Sequence, residues 1–91
     1  MTNEMKLLVE KYSVNVEDLK KDYDLIIFRC KNCKEDLEEY NPYIYSDGTE
    51  IPLDKIKIIE VSREDCENYE DNMMETPQRV LPIRLYETKG E

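Results

Sequence analysis

Cys30 and Cys33, in the run Phe28-Arg29-Cys30-Lys31-Asn32-Cys33-Lys34, are the residues whose type and spacing point most directly to chemistry. Two thiols separated by two residues suit thiol–disulfide exchange: one thiolate attacks a partner disulfide, and the second resolves the mixed species. The same spacing is half of a structural zinc site. The second half of a zinc site needs further donors, and the chain offers only Cys66 and no histidine. A carboxylate such as Asp65 or Glu67, or a second chain, would have to complete it. The lack of histidine also removes imidazole bases and Ser-His or Cys-His nucleophile pairs. A third reading takes Cys30 and Cys33 as small buried residues, because free cysteine packs well in cores. Cys66 shares an apolar helical face with Tyr69 and Met73 and reads as core packing.

Elements of several kinds must position these thiols. Leu25-Ile26-Ile27-Phe28 is apolar on both faces and predicts a central strand that delivers the pair to one end of a sheet. Cys33, Leu37 and Tyr40 recur at helical spacing, which predicts a helix from Cys33 that ends or kinks at Asn41-Pro42. Upstream, Met5, Leu8, Val9 and Tyr12 fall on one helical face with Thr2 as a cap, a strand over Lys6–Lys11 being the runner-up. Asn15 caps a short second helix bearing Val16, Leu19 and Tyr23. Tyr43–Tyr45 fits either a last helical turn or a short edge strand, and Ser46-Asp47-Gly48-Thr49 is a turn. Lys55–Val61 alternates as a strand should. Ser62 caps a helix with Asp65 at the third position and Thr76-Pro77 at its end. Ile83–Tyr86 is a strand entered through Pro82.

Composition bounds what such a domain can do. Ninety-one residues make a single domain, 1–91, with a small core. With 22 acidic against 13 basic side chains the formal charge is -9, which repels phosphate backbones and argues against nucleic-acid binding. No stretch approaches the roughly 20 apolar residues of a membrane span. Three cysteines and no recognisable signal peptide predict a reducing, cytoplasmic setting. The acidic run Glu60, Glu64, Asp65, Glu67, Glu70, Asp71, Glu75 reads first as a solvated helix face. Its functional alternative is an acidic interaction or inhibitor protein that docks on a basic partner, with cysteines that are structural or bind zinc. With only two glycines, both at turns, no phosphate-cradling loop is available.

The order helix, strand, helix, strand, helix, strand resembles the thioredoxin/glutaredoxin superfamily. The resemblance is carried by Val16–Lys21 before Asp24–Phe28, then Cys30-Lys31-Asn32-Cys33-Lys34, then Lys55–Val61 leading to Glu64-Asp65, and last Val80-Leu81-Pro82 through Gly90. It implies a small α/β thioredoxin-like fold, a mixed sheet of three or four strands flanked by helices, that performs thiol–disulfide exchange. Cys30 would attack and Cys33 would resolve. Pro82 would be a cis proline beside the pair, holding the substrate chain and denying a metal access to the thiolates. With that packing, Arg29, Lys31, Lys34 and Arg79 would gather into a basic patch for a protein disulfide or glutathione, and no cofactor would be needed. The chain departs from the family pattern in two places near the site. Only Arg29 separates Phe28 from Cys30, where a longer loop is usual, and Ile27 stands where a buried acid is often kept.

Overall fold

The computed structural model describes residues 3–33, 41, 43–69 and 80–88. Its centre is β1, Leu25–Arg29, whose first four residues have no exposed surface. A strand with no polar side until Arg29 can be satisfied only by cover on both faces, and the chain provides it. On one edge β1 pairs in parallel with β2, Ile56–Glu60, with Leu25 opposite Ile56 and Arg29 opposite Glu60. On the other it pairs antiparallel with β3, Ile83–Glu87, through a register shift at Ile26/Ile27. The result is a small mixed α/β domain with a three-stranded sheet in the order β2-β1-β3.

Side-chain alternation along β1 divides the core in two. Phe28 joins Met5, Leu8, Val61, Tyr69, Val80, Ile83 and all three cysteines on one face. Leu25 and Ile27 meet Tyr43, Ile51 and Ile56 on the other. The thiols are thus built into the larger half of the core.

Helix α1, Asn3–Lys11, buries Met5 and Leu8 against that half, so the helical spacing and not the strand alternative describes this segment. It ends in a reversal in which Ser13 takes φ 54° and the Val14 N–H donates to the Val9 carbonyl at 3.0 Å. Helix α2, Val16–Leu19, is a single turn; the Asn15 side chain accepts from the Asp18 N–H at 3.3 Å, the cap expected there. The ambiguous Tyr43–Tyr45 resolves as extended chain. Ile44 bridges Glu50 antiparallel around a turn in which Gly48 adopts φ 89°, a conformation glycine takes without steric cost. A 3₁₀ turn, Leu53–Lys55, takes Lys55 from the predicted Lys55–Val61 strand and leads into β2, which stops one residue early, at Glu60.

Helix α3, Arg63–Glu67, starts where predicted: the Ser62 hydroxyl accepts from the Asp65 N–H at 3.1 Å. The helix predicted from Ser62 to Thr76 ends early, at Glu67 with Asn68 as its C-cap, and Cys33, predicted to open a helix, bridges Val80 in extended form. Residues 34–40, 70–79 and the Thr2 cap lie outside the described residues. Among the described residues no helix is long and apolar enough to cross a membrane.

Candidate functional site: a buried cluster of three thiols

Cys30 follows the last residue of β1 and Cys33 sits one tight turn later, closed by a Cys33 N–H to Cys30 carbonyl hydrogen bond of 3.1 Å. The turn places the two sulfurs 3.8 Å apart. Parallel pairing carries β2 to the same end of the sheet, where the Val61 N–H donates to the Arg29 carbonyl at 3.0 Å. Helix α3 begins immediately afterwards and turns Cys66 inward, so that its sulfur lies 3.9 Å from that of Cys33. All three sulfurs lie within 4.8 Å of one another, and the three residues are only 2%, 4% and 0% exposed.

Two further contacts hold α3 in place. Tyr12, at the end of α1, donates its hydroxyl to the Asp65 carboxylate at 2.6 Å and accepts from the Ser62 N–H at 3.0 Å. Lys11 adds an ion pair to the same carboxylate at 2.7 Å. Asp65 therefore spends its charge on α1, and Glu67 pairs with Arg63 at 2.6 Å. Two acids of the run proposed as a docking face are thus engaged within the chain, while Glu70, Asp71 and Glu75 lie outside the described residues.

The segment before β3 closes the cluster from below. Val80 bridges Cys33, and the Cys66 sulfur lies 3.5 Å from the Leu81 carbonyl, the alternative acceptor for its single proton when that proton is not given to Cys33. The two residues preceding Pro82 thus meet two of the cysteines. The cis bond that the resemblance implied at Pro82 is absent: every described peptide bond is trans, the ordinary lower-energy form for a residue preceding proline. Arg29 and Lys31 flank Cys30 in sequence, and the three residues line a cavity of about 260 Å³ with Ile58 and Glu60. Lys34 and Arg79, the remaining members of the predicted basic patch, lie outside the described residues. A larger cavity of about 590 Å³, between the Tyr43–Ser46 hairpin and Arg84, Glu87 and Thr88, contains no thiol.

The central position of Cys33 sets the electrostatics. A hydrogen bond from the Cys66 thiol, helped by the Cys30 backbone and thiol and by the charge of Arg29, brings the Cys33 thiol down to about 6 despite its burial. The same hydrogen bond, seen from its donor, raises the Cys66 thiol, and burial raises it further. Cys33 is therefore the sulfur best placed to be a thiolate near neutral pH, and Cys66 is a proton-bearing donor to it.

The sequence pattern led to Cys30, Cys33, Arg29 and Lys31 and named Cys66 as the one further sulfur available, but set it first as core packing; the structure makes it both a core residue and a neighbour of the pair. Its one signal was the odd cysteine on an apolar helical face directly after a parallel strand. Compared with family models, with curated proteins and with solved structures, the chain matches none.

Proposed function

We propose that this chain is a thioredoxin-like thiol–disulfide exchange protein whose reacting pair is Cys30 and Cys33. The observation that carries the reading is the 3.8 Å approach of the two sulfurs at the carboxyl end of the buried central strand. It is supported by the low-lying Cys33 thiol and by the return of Val80-Leu81 to the cysteines just before Pro82.

Cys30 is among the residues lining the cavity and is the thiol assigned to meet a partner disulfide, a step that requires its nearly buried sulfur to be uncovered on docking. Its thiol proton passes to the neighbouring Cys33 thiolate as the Cys30 sulfur attacks, forming a mixed disulfide and releasing one partner thiolate. Cys33 then gives up that proton and attacks the Cys30 sulfur, closing the internal disulfide and releasing the second partner thiol. Two electrons and one proton move from the chain to the partner, which leaves as one thiol and one thiolate. Arg29 and Lys31 favour an anionic substrate such as glutathione disulfide or an acidic protein, with Pro82, Lys34 and Arg79 as the further candidate contacts.

The test is to treat the reduced chain with glutathione disulfide and map the product by peptide mass. A Cys30–Cys33 disulfide, with turnover lost in both Cys30→Ser and Cys33→Ser, is the expected result. Three thiols that stay reduced in the folded chain at any glutathione ratio would overturn the reading.

A further inference from the structure

We propose that Cys30, Cys33 and Cys66 together form a three-thiolate site for a soft d10 cation, Zn²⁺ or Cu⁺. The argument is one of fit. With metal–sulfur bonds of about 2.3 Å, sulfurs sharing one ion stand about 3.8 Å apart in a tetrahedral site and about 4.0 Å in a trigonal one. Two edges of the cluster measure 3.8 and 3.9 Å. The third, at most 4.8 Å, has to close by about 1 Å or less. A disulfide bond of about 2.05 Å, by contrast, needs a much larger approach of two of these sulfurs.

The donors also have the right chemistry. Among the described residues no carboxylate joins the cluster, so the set is purely sulfur, the type that selects copper(I) and zinc over magnesium, calcium or manganese. The ligands come from the end of β1, the turn after it and α3, so a bound ion would pin together elements distant in sequence. Burial of all three residues keeps water from competing for the ion. Arg29 and Lys31, on the wall beside Cys30, supply positive charge next to a thiolate set whose negative charge exceeds that of either cation. Uptake forms three metal–sulfur bonds and releases the thiol protons to solvent, with no change of oxidation state. Because ion and internal disulfide use the same sulfurs, closing Cys30–Cys33 would expel the ion, and the loaded chain would be inert to disulfides. The site does not depend on the exchange reading.

The test titrates the reduced full chain, without oxygen, with Zn²⁺ and in a second arm with Cu⁺, each against a chromophoric chelator. X-ray absorption at the metal edge then counts the sulfurs on the loaded wild-type chain. One cation per chain with three sulfurs at about 2.3 Å is expected. Cys66→Ser should weaken retention by more than about 100-fold, beyond the 10–100-fold that follows loss of a group merely supporting a ligand. Retention of only one of the two ions upholds the site and identifies its occupant. Failure to retain either ion, a count of two sulfurs or fewer, or wild-type affinity in a folded Cys66→Ser chain overturns the proposal. Should circular dichroism show that variant unfolded, the sulfur count on the wild type decides. A chain that holds the ion yet never forms the Cys30–Cys33 disulfide would reject the exchange function and leave this site standing.

Discussion

At Cys33 a single sulfur lies 3.8 and 3.9 Å from two others, and their hydrogen-bonding support concentrates the acidity of the cluster at its middle member. The folded thiol lies near 6 against an ordinary value of 9.0, so in the unfolded chain it binds its proton more tightly. A group depressed in this way contributes stability that is fully present above pH 9 and is lost as pH falls towards 6. Thiolate absorbance of the reduced chain should therefore titrate with a midpoint near 6. The transition should vanish in Cys33→Ser and move upward in Cys66→Ser, because the Cys66 thiol is the largest cause of the shift. An unmoved midpoint in folded Cys66→Ser would show that the Cys30 backbone and thiol and the charge of Arg29, not the third thiol, set the acidity. Local pattern could identify the Cys30–Cys33 pair because its members are neighbours in sequence. It could not find Cys66 beside them: inward-facing is a local property, whereas a particular neighbour depends on how β2 pairs.

Between the residues and the fold, the decisive element is α3, a helix of five residues held by its surroundings more than by its own length. Tyr12 is the link, since one hydroxyl serves both the first helical N–H region and the Asp65 carboxylate. Tyr12→Phe removes both bonds and should cost about 1–3 kcal/mol, measured by urea unfolding. It should also speed alkylation of Cys66 more than that of Cys30, because α3 loses its anchor while β1 keeps its own. Equal acceleration of the two would mean that the whole domain had loosened instead. The capping of α3 by Ser62 was legible, as was that of α2 by Asn15, because caps are written in three or four consecutive residues. The use of Asp65 as a partner for α1 was not, since an acid at that position serves the helix terminus equally well on local grounds.

For the molecule as a whole, everything converges on β1, which supplies both core faces and leads directly into the first thiol. Phe28 is fully buried among the cysteines and Val61, Val80 and Ile83. Phe28→Ala should cost about 3–5 kcal/mol, a large share of the roughly 5–15 kcal/mol that holds a domain together. Its denaturant midpoint should fall accordingly and its Cys33 titration should revert toward 9. A small loss with the titration intact would show that the sheet is sustained from its other face. The central place of this strand could be read from four consecutive apolar residues and the α/β class from the alternation of helices and strands, whereas a mixed sheet was implied only by the family resemblance. The trans peptide before Pro82 and the irregular register at Ile26/Ile27 could not, because both are settled by how β3 docks.

Parallel strands cannot be joined by a short hairpin, and here that topology separates two kinds of sulfur contact in time. Cys30 and Cys33 are near neighbours even in a nascent chain, whereas Cys66 is 33 positions from Cys33 and arrives only once β2 has crossed over to its place beside β1. An oxidant present during synthesis would therefore find the near pair first, and a cation present instead would reward the completed crossover.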